Sequence, residues 1–191
     1  MGMDSNSTAT ILPIHTFTGK KFYPLDPKVE DISIIDIAHG LSNVCRYGGQ
    51  CKEFYSVAQH SVLCAIEAPY EYKKWALLHD ASEAYIGDIV HPLKVTEEYD
   101  AYRVAEEILM KAICERFDLP TEMPEEVHEI DLLIRHTEMR DFGSVSEEFW
   151  KDEPMMEYTI KPLEPKESKI LFLKEFSRLF GYGTDAWRYF E

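Results

Sequence analysis

From Ser33 onward, apolar residues recur three or four positions apart and the runs are cut by Gly or Pro, which commits most of this chain to amphipathic helices packed on one another. Ile34, Ile37, Ala38, Leu41 and Val44 make the first stripe, behind a Ser33/Asp36 start of capping-box type, with Gly48-Gly49 expected to stop it. Further helices are expected from Ser56 to Ala68, from Glu71 to Tyr85 and from Thr96 to Phe117, the last with Tyr99, Val104, Ile108, Leu109 and Ile113 facing in. Two more are expected from Pro124 to Phe142, striped by Val127, Ile130, Leu133 and Ile134, and from Lys166 to Phe180. Only residues 11–24 read otherwise: short alternation around Thr18-Gly19 suggests a small β-hairpin. Pro154, Pro162 and Pro165 make Ser146 to Pro165 a long connection with one short extended piece at Tyr158 to Ile160. The expected fold class is therefore all-α, one domain over residues 11–191 with a small N-terminal β-hairpin, and residues 1–10 as a flexible tail. Trp187, Tyr189 and Phe190 end the chain as an aromatic segment that either covers the core or serves an interface.

With 191 residues, 45% of them apolar, the chain has enough material for one substantial core, and disorder is excluded. Its net charge of −15 argues against gripping a nucleic-acid strand, whose binding rests on phosphate neutralisation, and against anionic membrane surfaces. No apolar run approaches the roughly 18 residues of a spanning helix. The four cysteines, Cys45, Cys51, Cys64 and Cys114, include no CxxC pair and no signal-type segment opens the chain, so a cytoplasmic protein is expected. A small phosphorylated ligand remains compatible, provided a local cationic site opposes the overall field.

The chemistry concentrates around His79-Asp80, which follows Trp75-Ala76-Leu77-Leu78 directly. A carboxylate buried there unpaired would cost several kcal/mol, so something must compensate it: its neighbouring histidine, an arginine, or a metal ion. The dipeptide alone is a weak motif. His60, in Val57-Ala58-Gln59-His60-Ser61, and Asp131, between Ile130 and Leu132, add an imidazole and a carboxylate from two other helices. His60, His79, Asp80 and Asp131 together suit a divalent ion with room for water, whose effect on that water and on a phosphoryl oxygen is hydrolase chemistry. Glu83, four residues after His79, shares a helical face with it and could reach such a water. Asp88 follows Gly87, where a short carboxylate organises a turn or accepts from a ligand hydroxyl. Arg46 and Lys94 offer phosphate contacts and Tyr47 a face for a base. Taken singly, Glu83, Arg46 and Lys94 are more readily ordinary solvated side chains.

As a set, these residues resemble the HD-domain metal-dependent phosphohydrolases, whose signature is a His, a His-Asp pair and a later Asp on separate helices of a bundle. The resemblance runs from about Thr18 to Phe142 and is most specific between Arg46 and Lys94. Val57 to Ser61, His79 to Glu83 and Gly87 to Lys94 are similar to stretches of bacterial 5′-deoxynucleotidases and, with the hairpin, to compact phage dATP triphosphohydrolases of diaminopurine-containing genomes. The resemblance implies an HD-domain helical bundle with one divalent metal ion (Zn, Co, Mn or similar) on His60, His79, Asp80 and Asp131. It implies Glu83 as the carboxylate orienting or deprotonating the attacking water, Asp88 as the reader of the deoxyribose, and Arg46, Tyr47 and Lys94 as substrate contacts. The implied reaction is attack of metal-bound water on the α-phosphorus of dATP, giving deoxyadenosine and tripolyphosphate. The alternatives are a 5′-deoxynucleotidase acting on monophosphates and a non-catalytic nucleotide-binding module. A small deoxynucleotide is the expected partner, nucleic acid and membrane are not, and a homo-oligomer is expected. Three phosphates need more positive charge than Arg46 and Lys94 supply, and Lys20 and Lys21 of the hairpin are candidates.

Overall fold

The computed structural model describes residues 12–143 and 146–182, so the expected tail at residues 1–10 and the aromatic residues Trp187, Tyr189 and Phe190 lie outside the described residues. The fold is mostly helical with one small antiparallel hairpin, β1 (Ile14–His15) and β2 (Lys21–Phe22), in which Ile14 faces Phe22 and His15 faces Lys21. Then follow α1 (Ile34–Asn43), α2 (Val57–Glu67), α3 (Lys73–Leu78), α4 (Glu83–Ile86), α5 (His91–Lys94), α6 (Asp100–Phe117), α7 (Glu125–Phe142) and α8 (Pro165–Phe180).

The central element is α2, which packs on α1, α3, α7 and α8. Val57, Ala58, Val62, Cys64 and Ala65 bury one side of it, and Gln59, His60 and Ser61 are buried as well, so it is covered nearly all round. Ser56 caps it, its side chain accepting from the Gln59 N–H. Around it lie Ile37 and Leu41 of α1, Trp75, Leu77 and Leu78 of α3, Leu109 and Ile113 of α6, Ile134 of α7 and Phe172 and Phe176 of α8. On α8, Glu164 and Glu167 form a capping box with Pro165 at the first turn, and Gly181 closes the helix.

Several boundaries differ from the sequence reading, each for a local reason. The first helix stops at Asn43, before Gly48, because Val44 and Cys45 turn extended and Cys45 bridges to Ser56. Asp36 is too short to close a capping box; its two oxygens accept from the backbone N–H and hydroxyl of Thr18 at 2.8 and 2.9 Å, tying the hairpin to α1. The single helix expected from Glu71 to Tyr85 is two, interrupted at residues 79–82, where backbone bonds run Ala81 to Leu78 and Glu83 to Asp80. On α6 the inward face is Ala105, Leu109, Ala112 and Ile113, whereas Val104 and Ile108 are exposed. Residues 158–160 form no strand: Arg140 donates to the carbonyls of Met156 and Tyr158, and Asp141 accepts from the Ile160 N–H, so side chains of α7 hold this connection in place.

Gly40 marks a close helix contact, since a Cβ built there would lie 2.7 to 2.8 Å from the backbone oxygen and carbons of Ala84. Gly40→Ala must therefore push α1 away from α4. Overpacking of this kind costs about 1–3 kcal/mol and a helix-propensity gain of about 1 kcal/mol offsets part of it. A lower urea midpoint with an unchanged slope is expected.

Candidate metal centre and cavity

The centre is built from the buried helix outward. His60 is fully buried, and its Nδ1 lies 2.7 Å from Oε1 of Glu138 on α7, which is also fully buried. Glu138 further accepts from Arg46 Nε at 3.1 Å and from the Tyr47 hydroxyl at 2.6 Å. Burial alone would raise the Glu138 carboxyl, but Arg46 and His60 outweigh it and bring its pKa down to about 2. Glu138 is thus a carboxylate and can only accept, so the Nδ1 proton of His60 points to it and Nε2 is left facing the centre. His79 is set in the same way, its Nδ1 lying 2.8 Å from the carbonyl of Ala76.

The two Nε2 atoms converge to 3.3 Å. Asp131 places an oxygen 3.0 Å from Nε2 of His60, and Asp80 places one 3.2 Å from Nε2 of His79 and 3.9 Å from that of His60. Ligands about 2.1 Å from one tetrahedral ion lie about 3.4 Å from each other, so these separations suit donors sharing a cation. Donor atoms of His60, Cys64, His79 and Asp131 all fall within 4.8 Å of one another, so the group could hold a metal ion. Cys64 stands 3.4 Å from the His60 nitrogen, but burial pushes its thiol up, which favours the neutral form. Burial opposes charge at Asp80 and Asp131, yet the imidazoles prevail and hold both carboxyls far below the usual range, His79 chiefly for Asp80 and His60 for Asp131. The imidazoles are correspondingly raised. Burial and Arg46 lower His60 but Cys64, Glu138 and Asp131 outweigh them, and at His79 the adjacent Asp80 overcomes burial.

Asp80 and Asp131 open onto a cavity of about 560 Å³, within the range of small-molecule sites. Arg46, Tyr47, Glu83, Asp88 and Lys94 line it too, so every site residue expected from sequence is gathered here, the two histidines meeting the lining through Asp80 and Asp131. Glu83 is 5% exposed, and its Oε2 has no hydrogen-bond partner. Burial, then the carboxylates of Asp80 and Asp88, push the Glu83 carboxyl well above its ordinary value. Gly87, with φ 80° and ψ 164°, ends α4 in a conformation that side chains resist and turns the chain so that Asp88 faces the cavity. Tyr47 has φ 57°, and its hydroxyl donates to Glu138, which ties it to the cavity wall. Lys94 pairs with Glu106 at 2.6 Å. Lys20 bonds the Glu30 carbonyl on the hairpin, and neither it nor Lys21 lines the cavity.

Sequence reasoning missed Cys64, Glu138 and Arg135, the last of which also lines the cavity. Helical spacing is the one hint of them in the sequence: Cys64 lies four residues beyond His60, while Arg135 and Glu138 lie four and seven beyond Asp131.

Fold and centre together define a mostly helical protein whose clustered His, Cys and Asp side chains could hold a metal ion beside a ligand-sized cavity. No family model matches the chain. It belongs to the family of the uncharacterized protein YfdR of Escherichia coli K12, with which it is 40% identical over 173 residues, 87% of this chain and 94% of that protein. An uncharacterized protein of Rhodobacter capsulatus is 40% identical over 116 residues, 56% of this chain and 59% of that protein.

Purified protein is expected to take up a divalent ion, and His79→Ala to lose it, as read by elemental analysis. Glu138→Gln, which touches the ion only through His60, is expected to weaken affinity about 10- to 100-fold. Since both imidazoles sit above their ordinary range, a metal must displace their protons; affinity should fall as pH drops, with proton release on binding measurable by calorimetry in buffers of different ionisation heat.

Proposed function

We propose that the protein is an HD-domain, metal-dependent phosphohydrolase of deoxynucleotides, with dATP, cleaved to deoxyadenosine and tripolyphosphate, as its leading substrate. The observation that carries this reading is Glu83. A buried carboxyl with an unpartnered oxygen, opening on a cavity beside a cation-competent centre, has no use in a purely structural metal site, where all positions are closed.

His60, His79, Asp80 and Asp131 would hold the divalent ion, which when bound supplies polarisation of the phosphoryl oxygens and lowers the pKa of water. The chain's own residues supply the rest. Glu83 takes the proton of the water that attacks phosphorus, and its raised pKa suits handing a proton on to the departing 5′ oxygen. One P–O bond forms and the P–O5′ bond breaks, so water and ester become nucleoside and phosphate. Arg46, with Nη1 3.5 Å from Asp80, brings positive charge beside the reacting phosphoryl group. Asp88 accepts from the sugar's 3′ hydroxyl. A 5′-deoxynucleotidase would use the same steps on a monophosphate. What favours this second reading is that the cavity's Arg46 and Lys94 are already paired within the protein, leaving fewer charges for a long phosphate chain.

Metal-loaded protein incubated with dATP and with dAMP, its products separated by anion exchange, tests the proposal. Deoxyadenosine and tripolyphosphate from dATP are expected; turnover of dAMP alone establishes the second reading, and turnover of neither overturns both. Glu83→Gln is expected to keep its metal and lose about 10²- to 10⁴-fold in kcat.

A further inference from the structure

Arg135 differs from the other cations of the cavity. It lies on α7 one turn beyond Asp131, about 6 Å further along the axis, and lines the same cavity. Arg46 is engaged by Glu138 at 3.1 Å and Asp80 at 3.5 Å, and Lys94 by Glu106 at 2.6 Å. Arg135 has no ion-pair or hydrogen-bond partner among the described residues, and its Nε is shielded from solvent without one. A guanidinium held half-buried and unpaired forgoes the hydrogen bonds it would make in water, and an anion entering the cavity restores them. Its planar fork suits the oxygens of a phosphate chain.

We infer that Arg135 is the residue that recognises a polyphosphate: it grips phosphates beyond the one at the metal centre and so separates triphosphate from monophosphate substrates. The inference rests on the phosphohydrolase reading and adds the chemistry that reading leaves short, a cation not already spent within the protein. A single phosphate held by Asp131 and its neighbours through the ion is one helical turn from Arg135, whereas a chain of three spans that distance. Arg135 therefore discriminates by length of the phosphate chain and is indifferent to the base.

The test is calorimetric titration of metal-loaded wild type, Arg135→Gln and Arg135→Lys with inorganic tripolyphosphate and with orthophosphate, alongside KM for dATP and dAMP. Arg135→Gln is expected to weaken tripolyphosphate binding about 10- to 100-fold and orthophosphate less than about threefold, with Arg135→Lys recovering part of the loss. The KM for dATP should rise with kcat little changed. Equal weakening of both anions, no weakening, or absence of tripolyphosphate binding to the wild type overturns the inference. If tripolyphosphate binds through Arg135 but no deoxynucleotide is turned over, the catalytic reading fails and the inference stands.

Discussion

The hydrogen bond between His60 and Glu138 is the contact on which the rest of the site depends. Both groups are wholly buried, and a carboxylate in that position is tolerable only because three donors from two elements meet it: His60 from α2, Arg46 and Tyr47 from the turn after α1. Removing one partner of such a buried set costs about 3–5 kcal/mol, because the charges left behind remain out of water. The same bond has a chemical consequence. It fixes which nitrogen of His60 carries the proton and turns the other toward His79, so a core contact in α2 and α7 sets the donor atom that His60 offers to a group that could hold a metal ion. Stability and site geometry are here one interaction.

The tie to Arg46 extends the effect into the cavity wall. Tyr47 adopts a left-handed backbone, which costs a non-glycine residue about 1–3 kcal/mol and persists where surroundings over-determine it. Its hydroxyl on Glu138 is part of that determination, and the packing of Arg46 over the Tyr47 ring, 5.4 Å from guanidinium to centroid, is another. The turn that presents Arg46 to Asp80 is thus held from beneath by the same carboxylate that orients His60. The acidic character of the whole chain matters little on this scale: at the centre each carboxylate faces an imidazole or guanidinium within 4 Å, and the local sign is set by those neighbours.

How much could be read from sequence follows from what each feature depends on. The helices, the hairpin and the convergence of His60, His79, Asp80 and Asp131 rest on local periodicity and on the cost of burying charge, both visible in a single chain. Glu138 was not visible, because a Glu late in an acidic helix looks like solvent-facing charge until the helix is docked; only its two-turn spacing from Asp131 hints otherwise. Arg135 was hidden for the same reason. Val104 and Ile108 misled in the opposite direction, since the stripe on α6 admits a rotation that puts the smaller Ala105 and Ala112 inward instead. Tyr47 was read as a base platform, and its pairing with Glu138 depends on a turn whose backbone sign no periodicity reveals.

The interruption at residues 79–82 shows why a boundary error was also a chemical one. In a continuous α-helix His79 and Glu83 would be the stacked pair, four apart. Between α3 and α4 the backbone tightens instead to bonds spanning three residues, and in that geometry side chains three apart eclipse. Asp80 and Glu83 become the aligned pair, both on the cavity, and Asp80 is accordingly the leading charge that raises Glu83 after burial itself. His79 is anchored by its ring to the Ala76 carbonyl, with only 5% of its side chain exposed, and meets the cavity through Asp80. One tightened turn therefore sets the directions of His79, Asp80 and Glu83, with both carboxyls on the cavity and the imidazole turned to His60. Of the two carboxyls on the cavity, Glu83 is the one that burial and its acidic neighbours push up, whereas Asp80 is held down by His79.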